Sequence, residues 1–201
     1  MPSKEKAVLP EIYQLKITLL GTDPPIWRRL LVPAEFTLAQ LHHVLQVAMG
    51  WSDDHMHGFS VGKRRIGPIN PEGQFMDDLE EEDERTVTVS DVLAKVGSKV
   101  TYTYDFGDDW DHVMVLEKRL PFDPNLTYPV CTDGQLACPP EDCGGVYGFY
   151  DLVEARADPN HSRHQEMFDW LEGDFDPQAF SVDNVNRKLT LVRRRGKARK
   201  S

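Results

Sequence analysis

Apolar and polar residues alternate with a period of two in three parts of the chain. In residues 12–20, Tyr13, Leu15, Ile17 and Leu19 oppose Gln14, Lys16 and Thr18, which is the pattern of a strand with one buried face. The turn Gly21-Thr22-Asp23-Pro24-Pro25 leads to a returning strand over 26–32, stopped by Pro33. In residues 99–106, Val100, Tyr102, Tyr104 and Phe106 share a face. Gly107-Asp108-Asp109 has turn chemistry, and alternation resumes over 112–120, so this stretch predicts a hairpin.

A helical period appears between these strands. Leu38, Leu41, Val44, Leu45 and Ala48 form one stripe. Thr37 and Gln40 make a capping box before it, and Gly50 is a C-terminal cap. Residues 87–96 predict a short helix capped by Ser90, and 121–140 an irregular link. Val146, Phe149, Tyr150, Val153 and Ala157 predict a helix broken at Asp158-Pro159-Asn160. A second starts at Ser162, and Asp176-Pro177 opens a short third turn; residues 185–191 read as a last strand. The expected fold is α+β: a mixed or antiparallel sheet with one long helix packed on it and a C-terminal helical segment.

The 201 residues fit one domain. Its expected extent is 11–192, with an acidic loop at 67–85 and a helical part at 145–181. Residues 1–10 are an expected disordered N-terminus and 193–201 a basic tail. Seven acids in residues 77–84 favour a solvated insertion, and they lack the glycine and ligand alternation of a calcium loop. No apolar run approaches the ~20 residues of a membrane span, and the first residues lack a signal-peptide pattern. A cytoplasmic protein is expected, with no membrane partner.

Charge is uneven. The net charge is −10, yet residues 193–200 hold six basic groups and no acid; the other 17 basic and 33 acidic residues leave −16. Such a body repels phosphate backbones. Arg193, Arg194, Arg195 and Lys197 are the candidate nucleic-acid contacts, set against a merely solvated terminus.

Candidate chemistry gathers at the hairpin. Asp105, Asp108, Asp109 and Asp111 crowd within seven residues, with Trp110 and His112 interleaved. Carboxylates so close repel unless they are solvated or share a cation. His55 and His57 share a face if they lie on one strand, a way to hold a metal or simply two hydrogen-bonded histidines. The candidate ligand or metal cluster is His55, His57, Asp105, Asp108, Asp109 and His112. Cys131, Cys138 and Cys143 are spaced C-x6-C-x4-C. With a histidine they could form a zinc site; otherwise they are loop thiols, or one disulfide and a free cysteine. No cofactor is certain; zinc or another divalent metal is the candidate. Glycine-rich phosphate loops and H-E-x-x-H are absent from the chain.

Several motifs occur together and in order: Pro25-Ile26-Trp27-Arg28-Arg29; the 41–51 helix followed by His55-x-His57-x-Phe59; Tyr104-Asp105-Phe106-Gly107-Asp108-Asp109-Trp110 with His112; and Cys138-Pro139-Pro140-Glu141-Asp142-Cys143-Gly144-Gly145, with Gly148-Phe149 and Asp169-Trp170-Leu171 after it. In these the chain, from about Tyr13 to Leu191, resembles the plasmid pRiA4b ORF-3-like family. The resemblance implies an α+β, MM3350-like domain and a link to mobile elements. A serine resolvase is not supported, since the first 35 residues contain only Ser3. The expected function is a non-catalytic binding or accessory module in plasmid or mobile-element DNA transactions. The alternative is a metal-dependent, hydrolase-like enzyme using the His/Asp cluster.

Overall fold

The computed structural model describes residues 9–69, 81–171 and 175–198, without the side chains of 191–198. In chain order the elements are β1 (Ile12–Leu19), β2 (Trp27–Pro33), α1 (Leu38–Met49), β3 (His57–Val61), β4 (Arg64–Gly67), β5 (Glu81–Asp83), α2 (Val89–Val92), β6 (Lys99–Tyr104), β7 (Trp110–Leu120), β8 (Val130–Gln135), α3 (Gly145–Ala157), α4 (His164–Trp170) and α5 (Val182–Ala198). The strands form one sheet in the order β5-β4-β3-β6-β7-β1-β2-β8. Neighbours are antiparallel except β4 and β5, so the sheet is mixed and the fold α+β.

The alternating strands bury the side that their pattern marks. Leu15, Ile17, Val100, Tyr102, Tyr104, Met114 and Leu116 are enclosed. Phe106, expected on that face, is exposed, because the chain has already left β6 for the turn. Helix α1 crosses the buried face. Both halves of its Thr37–Gln40 capping box are formed, and Gly50 closes it at φ 99°. His42 and Gln46 reach Tyr102 on β6, and the Ala48 carbonyl accepts from Arg28 on β2. Beside this 12-residue helix stand α3 with 13 residues and α5 with 17.

Five expectations need correction. Residues 182–198 are helical, and this helix covers the 185–191 stretch where a strand was expected: Val182, Val185, Leu189 and Val192 are spaced by three and four, and Val185 and Leu189 are buried. The 121–140 link contains β8, an edge strand paired with β2 despite its weak alternation. Within the acidic stretch, residues 70–80 lie outside the described residues. Residues 81–83, however, form β5, where Glu82 pairs with Arg64 and Asp83 with Arg85, so this part is neutralised edge structure. Finally, Thr88 caps α2 in place of Ser90, and α4 starts at His164 without a side-chain cap from Ser162.

Candidate metal centre

The β6–β7 turn is built on aspartates in the left-handed conformation. Asp105 has φ 56° and Asp109 φ 53°, a region that Asp enters more readily than most residues. One Asp105 carboxylate oxygen accepts from the Gly107 N–H at 2.9 Å, and the Asp105 N–H donates to the Met56 carbonyl. Asp108 faces the loop before α3, accepting the Gly144 N–H at 3.1 Å.

Three chain segments converge at this tip. His55, just before β3, sits edge-on to the Tyr104 ring. Its Nδ1 is 3.7 Å from Asp105 Oδ2 and its Nε2 is 3.2 Å from Asp142 Oδ1. One ligand atom from each of His55, Asp105 and Asp142 lies within 4.8 Å of the others. Ligands bound to one cation at about 2.0–2.6 Å are at most about 5 Å apart, so a single ion could touch all three. Asp105 is buried and Asp142 exposed, which leaves the cluster open on one side. Tyr104 supports it from below, donating to Glu141 and accepting the Asp54 N–H. Burial and the bond to Glu141 raise the Tyr104 hydroxyl above its ordinary range.

The other two histidines of the expected cluster go elsewhere. His57 bonds Glu84 at 2.7 Å, and its ring stacks on His42 with centroids 3.4 Å apart. His42 in turn bonds Tyr102 Oη at 2.8 Å and Asp53 at 2.6 Å. Burial first, then the neighbouring His57, pulls His42 down to about 4. With His43, His42 and Asp53 form a second group of ligand type, in which both His42 nitrogens already have hydrogen-bond partners. The H-x-H expectation fails because β3 begins at His57, so His55 is outside the pleat.

His112 lies opposite Tyr102 in the sheet and is fully buried in the core. Its Nδ1 is 3.3 Å from the Tyr102 carbonyl, while its Nε2, like Trp110 Nε1, has no partner among the described residues. Burial holds His112 down to about 4. Asp108 and Asp109 shape the turn and are not among the converging atoms.

All three cysteines are free and none joins a group of potential ligands among the described residues. Cys131 lies on β8, Cys138 meets Arg28 and Met49, and Cys143 lies beside the Gly145 carbonyl. Burial pushes the Cys138 thiol up to about 11 and that of Cys143 to about 12. The side chains of Arg193, Arg194, Arg195 and Lys197 lie outside the description, although their backbone continues α5.

Asp142 is the ligand-type residue that sequence reasoning missed. Its signal is weak: an Asp in a loop of prolines and glycines, which reaches the tip only by folding back.

Among the described residues no helix is long and apolar enough to cross a membrane. The family model described as "Plasmid pRiA4b ORF-3-like protein" matches residues 11–184. The uncharacterized protein y4hQ of Sinorhizobium fredii (strain NBRC 101917 / NGR234) is 35% identical over 180 residues, 89% of this chain and 90% of that one. The crystal structure of MM3350, a protein of unknown function from Methanosarcina mazei Go1, superposes with a TM-score of 0.78 at 34% identity. It matches over 89% of this chain and 98% of its own. With the motifs in order along one mixed sheet, these matches establish that the chain belongs to the plasmid pRiA4b ORF-3-like family.

Proposed function

We propose that the protein is a non-catalytic, cytoplasmic binding module that holds a divalent cation at the tip of the β6–β7 hairpin. The carrying observation is the convergence of His55, Asp105 and Asp142 from three separate segments to within 4.8 Å. One imidazole and two carboxylates suit zinc, manganese or ferrous iron better than calcium or magnesium, which prefer all-oxygen shells. Binding is favoured over turnover because the nearby groups that could move protons are engaged. Tyr104 is bonded to Glu141, His57 to Glu84, and His112 is enclosed.

The test is metal analysis of protein stripped with a chelator and reloaded with zinc or manganese. One equivalent is expected, lost in His55→Ala and Asp142→Asn and kept in His43→Ala, which touches only the second histidine group. Uptake below about a tenth of an equivalent overturns the reading, since such sites bind tightly. Hydrolysis of esters or phosphodiesters by the loaded protein, lost in His55→Ala, would replace it with the hydrolase reading.

A second reading concerns nucleic acid. Its support is charge: residues 193–200 hold six basic groups and no acid, which suits an accessory role in plasmid or mobile-element DNA transactions.

A further inference from the structure

A cavity of about 410 Å³ opens between the end of α1, the Ala137–Cys138 segment and the start of α5. Val47, Met49, Phe180 and Val185 give it apolar walls, while Arg28 and Lys188 are its cationic lining. Arg28 is 3% exposed. Its Nε donates to the Ala48 carbonyl at 3.0 Å, and its Nη1 to the Trp27 and Gln135 carbonyls at 2.8 and 2.9 Å. Its Nη2 donates to Cys138 Sγ at 3.1 Å, and the guanidinium lies over the Phe180 ring at 4.3 Å.

Every one of these acceptors is neutral. The adjacent Arg29 shows the usual arrangement, paired with Glu117 and Asp133. Among the described residues Arg28 has no carboxylate partner, and a buried cation without a counter-charge is costly. The Ala48 carbonyl belongs to the negative end of the α1 dipole, which offsets the charge only in part. Four of the five guanidinium N–H groups are used in these bonds. The remaining one belongs to Nη2, beside Cys138 in the cavity wall.

On the other side Lys188 lines the cavity and is exposed. The start of α5 adds no free donor there, because the Asn184 N–H donates to Ser181 Oγ and Asp183 occupies the first turn. The volume falls within the ~300–1,000 Å³ typical of small-molecule sites.

We propose that this cavity binds a small organic anion. Its carboxylate or phosphate group would neutralise Arg28 and Lys188, and its apolar body would lie along Met49, Phe180 and Val185. The site is separate from the cation cluster, so either can fail alone.

The test titrates the intact chain, in low-chloride buffer, with inorganic phosphate, butyrate and benzoate. Calorimetry gives affinity and the ¹⁵N NMR signal of the Arg28 side chain gives location. Saturable binding of one anion class is expected, with a shift of the Arg28 Nε–H signal. Saturation by phosphate alone identifies a phosphate ligand, and by butyrate or benzoate alone a carboxylate. Because replacing Arg28 removes four buried hydrogen bonds, the deciding substitution is Lys188→Glu on the exposed rim. It should weaken binding by about tenfold or more, the scale of a reversed charge contact, while thermal unfolding of the free protein stays near wild type. Three outcomes overturn the proposal: no saturable binding of any probe, binding indifferent to Lys188→Glu, or equally tight binding of neutral butyramide.

Discussion

His112 shows what enclosure does to a single side chain. It is fully buried, and only one of its ring nitrogens has a partner among the described residues. It therefore stays neutral down to about 4, as His42 does, where an exposed histidine titrates near 6.5. Between those two values the unfolded chain binds protons that the native chain refuses. Stability should thus be full above pH 6.5, fall as the pH drops towards about 4, and lose nothing more from these two groups below that. Each histidine contributes a slope of about 1.4 kcal/mol per pH unit inside the window. Urea unfolding across this range should show the decline. The substitution His112→Phe, which also removes the unpartnered nitrogen, should make it shallower by one histidine's share. Equal slopes in the two proteins would show that His112 is protonated in the folded state.

At the scale of elements, the hairpin tip is held by its contact with the start of α3. The Gly145 backbone has φ 67°, and a Cβ added there would lie 2.6 Å from the Asp108 carbonyl oxygen. Gly145→Ala should cost about 1–3 kcal/mol of stability from backbone strain, with the clash in addition. It should also weaken cation binding, because the loop that carries Asp142 must lift away from Asp105. Gly62→Ala is the control: its φ is also positive, at 60°, but nothing lies within 4 Å of the added carbon. Urea unfolding and metal titration of both variants test this; equal effects on metal affinity would mean that the α3 contact does not position the site. The same elements show what local pattern can and cannot reveal. Helix α1 was legible because cap, stripe and terminal glycine agree, and β1, β6 and β7 because alternation persists over many residues. Strand β8 was hidden because its place comes from register with β2, including the Arg29–Asp133 pair. The acids of β5 suggested a loop because their partners, Arg64 and Arg85, lie outside the acidic run. At the site, crowding marked Asp105, and H-x-H marked His55. The same period-two logic misplaced His57 and His112, whose inward faces lead to Glu84 and the core. Asp142 depends on a long-range fold-back that no local period encodes.

For the whole molecule, the dominant long-range feature is the separation of charge along the chain. Six basic groups within 193–200 oppose a remainder of 17 basic and 33 acidic residues. A net charge of −16 repels a phosphate backbone from most directions, so the nucleic-acid reading confines contact to the basic stretch 193–200. This limits both strength and salt dependence. Each neutralised phosphate contributes about −0.9 to the slope of log K against log salt on duplex DNA, so six basic groups cannot exceed about −5. The intact chain should retard a duplex in low salt only, and a chain ending at Val192 should not. Asp142→Asn should leave this binding unchanged, because it removes a cation ligand and no basic group. A steeper slope would place further phosphate contacts on the acidic body, and equal behaviour of the intact and shortened chains would remove the basic stretch from any nucleic-acid role.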